Sequence, residues 1–294
     1  MSKFLGTGVA MVTPFNVDGT VDYQGLENLI NHIIGGGVEY LVSLGTTGES
    51  VTLNENERNA IWEFTLEKVN RRVPVVAGVG GNSTQDVIRV LKKIENQGFD
   101  AILSVSPYYN RPTQRGIYEH YKAIAEESSL PIMLYNVPGR TGSNIAAETT
   151  VQLAHDFRNI IAIKEASNNF DQFNEIMRNK PKDFLFISGD DPVTLSLIAM
   201  GAVGVISVIG NAIPQLFSTM VRFCLNENFA EARPLHYKMI QFTKLMFSEG
   251  NPSGIKAALK QLGICEDYLR LPLVNISKDL FDKISEELIA LNTN

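Results

Sequence analysis

Residues 160–167 read IIAIKEAS, four apolar side chains followed by a lysine and a glutamate. An amine walled by hydrocarbon is disfavoured as an ammonium ion, and a neutral amine can add to a carbonyl group and form an imine. Lys164 therefore has the setting of a Schiff-base nucleophile. The plainer alternative is a solvated or ion-paired lysine, with Glu165 as the neighbouring partner. Strand alternation points those two side chains to opposite faces, yet on the residues alone the two readings stand level. Tyr135 closes a second apolar run, PIMLYNVPG (131–139). A buried tyrosine is ordinarily a core residue with its hydroxyl satisfied. Beside a carbinolamine-forming lysine, the same phenol can shuttle protons. Arg140 follows Pro138 and Gly139 on an expected loop. Exposed loop arginines are mostly inert, but at the rim of a site the planar guanidinium suits a carboxylate.

Other patterns are weaker. LGTTGES (44–50) has the glycines of a phosphate loop without the GxxxxGK[ST] lysine, so its amides and two hydroxyls, Thr46 and Thr47, fit a carboxylate better. GVGGNST (78–84) fails the GxGxxG spacing of a dinucleotide site and reads as a tight strand–helix turn. His32, His120, His155 and His236 are scattered, with no HExxH or paired-cysteine spacing, so no metal site is expected. There is no GxSxG nucleophile elbow.

These residues need elements to hold them. Short runs rich in Val, Ile and Leu, without polar alternation, occur at 8–13, 40–44, 73–79, 101–106, 132–137, 160–164, 184–188 and 203–208. Such runs suit strands buried on both faces. Amphipathic stretches separate them, including 23–34, stopped by three glycines, and 85–97, while Asn54/Glu57 and Ser83/Asp86 look like helix N-caps. Eight strand–helix units favour a closed (β/α)8 TIM barrel over an open doubly wound sheet. Residues 1–212 are read as the barrel, and 213–294, helical in period, as an extension packed on it. Barrel sites lie at the C-terminal strand ends. Those ends carry Thr46 and Thr47, Tyr108 and Tyr109, Tyr135 and Arg140, Lys164, and Gly189 with Asp190.

With 294 residues, 44% hydrophobic and 20% charged, the chain has globular proportions and ample length for one barrel. Its net charge of −6 gives no footprint for nucleic acid or an anionic membrane. Two cysteines, no signal-peptide pattern and no long apolar run point to a cytoplasmic protein.

Taken together, GTTGES (45–50), SPYYNRP (106–112), YNVPGRTG (135–142) and IKEAS (163–167) resemble the dihydrodipicolinate synthase branch of the N-acetylneuraminate lyase family. The resemblance runs from about residue 5 to at least residue 210. It implies a (β/α)8 barrel with C-terminal helices, a homotetramer built as a dimer of dimers, and no cofactor. It further implies condensation of pyruvate with L-aspartate-4-semialdehyde. Lys164 would form the Schiff base; Tyr135, Thr47 and Tyr109 would form a proton relay, Tyr109 reaching in from a neighbouring subunit. Thr46 and Thr47 would hold the pyruvate carboxylate and Arg140 that of the semialdehyde. Gly189 and Ile206 would line the lysine pocket through backbone groups. Sialic acid lyases of the family typically carry GSTGE and lack the arginine, so GTTGE with Arg140 favours the synthase over another pyruvate-dependent aldolase of the family. A catalytically silent barrel is disfavoured by the complete Lys164, Tyr135, Thr47 and Tyr109 set. The resemblance also implies an allosteric lysine site at Ser50, Val51, Glu55, Arg58, Asn82, Asp86 and Tyr108. Inhibitable members carry His or Glu in place of Arg58, so weak or absent feedback is expected.

Overall fold

The computed structural model describes residues 2–292. Eight strands form one closed parallel barrel in sequential order. They are β1 (Gly6–Ala10), β2 (Tyr40–Ser43), β3 (Val75–Gly78), β4 (Ala101–Val105), β5 (Ile132–Asn136), β6 (Ile160–Glu165), β7 (Leu185–Ser188) and β8 (Gly204–Ser207). β1 pairs with both β2 and β8, which closes the sheet and leaves no edge.

The helices are α1 (Tyr23–Gly35), α2 (Glu55–Val69), α3 (Thr84–Ile94), α4 (Gln114–Glu127), the single turn α5 (Pro138–Thr141), α6 (Ala147–Asp156), α7 (Phe170–Asn179), α8 (Thr194–Ala199), α9 (Pro214–Leu225), α10 (Phe229–Ser248), α11 (Ser253–Gln261) and α12 (Lys278–Asn292). Their starts follow local chemistry. Asp22 caps α1 by accepting from the Gly25 amide, and Asn54 with Glu57 forms a capping box on α2. Ser83 caps α3 through the Asp86 amide. α9 packs against β1, α1 and α8, the place of an eighth barrel helix. The expected boundary at residue 212 therefore falls ahead of that helix, and α10–α12 pack on one another beyond it.

Two apolar layers result. Tyr40, Val42, Val76, Leu103, Met133, Ala162, Ile187 and Ile206 fill the barrel interior. Leu41, Ile102, Leu134, Ile163, Phe186 and Val205 face the helices. The first strand ends earlier than its apolar run: Met11 still donates to the Val42 carbonyl, but the Val12 amide turns to the Asn211 side chain. One feature had no sequence signal. The β5–β6 register shifts between Ile132 and Met133, so β6 carries an extra residue, a bulge. Above it the pairing resumes as Met133 with Ala162 and Tyr135 with Lys164.

Candidate active site

The register that follows the bulge makes Tyr135 and Lys164 direct neighbours on adjacent strands. Both are buried, and the Lys164 Nζ lies 4.3 Å from the centroid of the Tyr135 ring. Among the described residues Lys164 has no salt bridge and no side-chain hydrogen bond. The ion-paired alternative with Glu165 is absent. Glu165 faces outward, where it accepts from Asn136 Nδ2 at 3.0 Å, Gln172 Nε2 at 2.8 Å and the Ser167 amide at 2.8 Å. Burial pushes its carboxyl upward, while those three donors oppose the shift. Asn136 and Glu165 are themselves register partners. An outer polar clasp thus sits back to back with the inner Tyr135–Lys164 pair and fixes the two strand ends that present it.

The second group of side chains comes from the turn after β2. Gly78 allows the close approach: a Cβ there would lie 2.3 Å from the Leu44 carbonyl oxygen. Residues 46–48 form one 3-10 turn, and Glu49 follows in the left-handed region at φ 52°. Thr46 is exposed and Thr47 buried. Glu49 is fully buried and held from the C-terminal extension. Lys256 Nζ donates to its Oε1 at 2.5 Å, and the Arg270 amide donates to its Oε2 at 3.2 Å. Lys256 also lies 4.2 Å over the Phe15 ring and donates to the Tyr268 carbonyl at 2.7 Å. Burial pushes the Lys256 ammonium down, and the Glu49 charge works against that. Asn251, also from the extension, donates from Nδ2 to Thr47 Oγ1 at 3.0 Å.

A cavity of about 560 Å³ opens at this end of the barrel. Thr46, Tyr135, Val137 and Arg140 line one part of it, with Arg140 exposed on α5 rather than on an irregular loop. Ser50, Asn82, Asp86 and Tyr108 line the same cavity, together with Val51 and Arg58. Asn82 Nδ2 donates to the Tyr108 carbonyl, and Asn110 Nδ2 donates to the Asn82 carbonyl, both at 3.1 Å. Gly189 is held beside β6 by donating to the Glu165 carbonyl at 2.8 Å, where a Cβ would come within 2.9 Å of that oxygen. Ile206 lies in the inner layer with Tyr135. Tyr109 stands apart: it is 89% exposed, at φ 71°, and lies outside the cavity lining. Among the described residues no group of three or more His, Cys, Asp or Glu side chains is placed to hold a metal ion.

The whole described chain can be placed by similarity. Residues 3–291 match the model of the dihydrodipicolinate synthetase family. The chain belongs to that family. A Flavobacterium psychrophilum protein named 4-hydroxy-tetrahydrodipicolinate synthase is 51% identical over 284 residues, covering 97% of each chain. A solved monomeric dihydrodipicolinate synthase variant superposes with a TM-score of 0.97 at 39% identity, over 100% of this chain and 98% of its own. The DHDPS of Cyanidioschyzon merolae, solved with lysine bound, gives 0.96 at 39% identity over 99% of each chain. Within this family fold, the motif residues fall where the sequence placed them, at the C-terminal strand ends. Asn251, Lys256, Arg270 and the Asn136–Glu165 clasp had escaped the sequence reading. For the clasp there was a signal: each polar residue directly follows an interior one, Asn136 after Tyr135 and Glu165 after Lys164.

Proposed function

We propose that the chain condenses pyruvate with L-aspartate-4-semialdehyde to 4-hydroxy-tetrahydrodipicolinate, the committed step towards diaminopimelate and lysine. The observation that carries this is Lys164, buried and unpaired, over the ring of Tyr135. The family membership and the names of the full-length relatives supply the substrates.

The Lys164 amine attacks the pyruvate keto carbon, and the carbinolamine loses water to give an imine. That imine draws electrons from the adjacent methyl group, which loses a proton and becomes an enamine. The enamine carbon attacks the aldehyde, and the semialdehyde's own amine then displaces Lys164, closing the ring and freeing the enzyme. Tyr135, Thr47 and Tyr109 move protons between these steps. Thr46 and Thr47 hold the pyruvate carboxylate, Arg140 receives the semialdehyde's carboxylate, and Gly189 and Ile206 form the backbone wall of the pocket. None of these steps requires a cofactor.

Tyr109 can join such a relay only from a second copy, because its ring points into solvent on its own protomer. That supports an assembly in which neighbouring subunits exchange Tyr109, a dimer of dimers in the family's manner. The monomeric variant shares the protomer fold, so the argument for assembly rests on the site. A reducing cytoplasm suits this chemistry and the two free, buried cysteines, Cys224 and Cys265.

Borohydride reduction in the presence of pyruvate tests the reading. The peptide containing Lys164 gains the mass of reduced pyruvate, and label on another lysine, or on none, defeats the assignment.

A further inference from the structure

The outer clasp behind Lys164 and Tyr135 reaches beyond the two strand ends. Asn136 Oδ1 accepts from the Ile145 amide at 2.9 Å, and Asn136 Nδ2 donates to Asn144 Oδ1 at 2.8 Å. These bonds close residues 137–144 into a loop at its base, and that loop carries Arg140 on α5. Asn144 Nδ2 in turn donates to Gln172 Oε1 at 2.8 Å, which brings in the first turn of α7. Lys164 and Arg140, the anchors assigned to the two substrates, therefore hang from one polar group.

The direction of each bond in this group follows from two backbone amides, which can only donate. The Ile145 amide requires Asn136 to present its oxygen there, so Asn136 Nδ2 turns towards Asn144 Oδ1 and Glu165. Asn144, having accepted through its oxygen, gives its nitrogen to Gln172 Oε1, and Gln172 Nε2 is left facing Glu165 Oε2 at 2.8 Å. The Ser167 amide donates to the other carboxylate oxygen at 2.8 Å. All these donors converge on Glu165, and only the ionised carboxylate leaves both oxygens free to accept. Asn136, Glu165 and Gln172 are buried. A donor turned against another donor there carries the desolvation cost of an unpaired group.

We propose that Glu165 is a positioning residue for the condensation, holding the Lys164 strand end and the Arg140 turn in one fixed relation. This rests on the functional reading above. The enamine carbon forms on Lys164, and the aldehyde it attacks is held through Arg140, so the spacing of the two anchors sets the attack geometry. A misplacement of about 1 Å in such a geometry can cost about 10²-fold in rate.

The test swaps the two ends of one hydrogen bond in the full-length enzyme. Active sites are counted by borohydride trapping of pyruvate carried to completion, and turnover is expressed per trapped site. Glu165→Gln keeps the shape but sets an amide N–H against a donor. Its turnover per trapped site falls roughly 10-fold, and its KM for the semialdehyde rises. Gln172→Glu alone sets two carboxylates against each other and also lowers turnover. In the double variant the acceptor has moved to position 172, where it still accepts from Asn144 and now accepts from the new amide at position 165. That position is the third of α7, where a carboxylate suits the helix dipole. The double variant therefore recovers to within about 3-fold of the parent, a coupling that independent losses cannot produce. A clasp that only holds the fold together lowers the yield of trapped sites and leaves turnover per trapped site unchanged. That result overturns the proposal, as does an unchanged KM for the semialdehyde or a double variant no better than the product of its singles. A parent that neither traps pyruvate on Lys164 nor condenses refutes the functional reading itself, whereas a working parent with any of these results refutes the role of Glu165 alone.

Discussion

Arg140 is exposed on the turn that follows β5 and lines the cavity, whereas Lys164 is buried and lies outside that lining. On the proposed mechanism the two substrates have separate anchors: pyruvate is fixed covalently at Lys164, and the guanidinium serves what arrives second. Arg140→Ala is therefore expected to raise KM for the semialdehyde far more than KM for pyruvate. Hydrogen bonds to charged groups are worth about 1.5–3 kcal/mol, which corresponds to roughly 10- to 150-fold in affinity. Steady-state kinetics with each substrate varied in turn checks it. Equal changes in both constants would take Arg140 out of the second-substrate role.

Elements deliver these side chains in two ways, and only one could be read from the sequence. Unbroken apolar runs mark the strands, and the polar residues near their ends, Tyr135 and Lys164 among them, stand out as candidates on the sequence alone. Their pairing was hidden, because it depends on the bulge in β6 that resets the register. The clamp on the turn after β2 was hidden for another reason. Glu49 and Lys256 are 207 residues apart, and no local pattern marks either as buried. Both side chains are fully excluded from solvent. Removing one partner of such a pair strands a charge, at a cost of about 3–5 kcal/mol, whereas replacing both is often close to neutral. Lys256→Met is thus expected to lose stability on that scale in denaturant unfolding, and Lys256→Met with Glu49→Gln to recover most of it. A double variant as unstable as the single one would show that the pair is not the clamp.

For the molecule as a whole, two expectations remain. The cavity continues past Arg140 to Ser50, Asn82, Asp86 and Tyr108, the positions the resemblance assigned to bound lysine, and Arg58 lines it too. The nearby carboxylates are engaged elsewhere: Glu57 with Arg270 and Glu55 with Lys93. Arg58 itself donates to the Leu53 carbonyl at 2.6 Å. Neither glutamate forms a salt bridge with it, and although Glu55 is near enough to interact with its charge, Arg58 leaves a cation on the wall of the cavity that an ammonium group would enter. At about 4 Å the repulsion is about 1 kcal/mol in water and about 4 kcal/mol at an effective dielectric of 20. Feedback by lysine is expected to be weak, and half-inhibition well below millimolar in a titration would show that Arg58 does not obstruct the site.

Exchange of Tyr109 between subunits makes a sharper demand. If the ring serves a neighbouring site, Tyr109→Phe in one subunit and Lys164→Ala in its partner damage the same active site of the dimer and leave the other whole. In a hybrid, the site that keeps Lys164 receives Tyr109 from the Lys164→Ala subunit and is complete, while the other site has lost both. Two preparations of low activity, mixed under conditions that exchange subunits, should therefore regain activity, up to roughly a quarter of the parent's for random exchange across a two-fold interface. The exposure of Tyr109 on its own protomer, 89%, is the observation behind this. If Tyr109 instead folded back onto its own site, the intact Lys164 and the intact Tyr109 would never meet in a hybrid. Activity of the mixture would then stay at the average of its parts, and the relay would have to be complete within one chain.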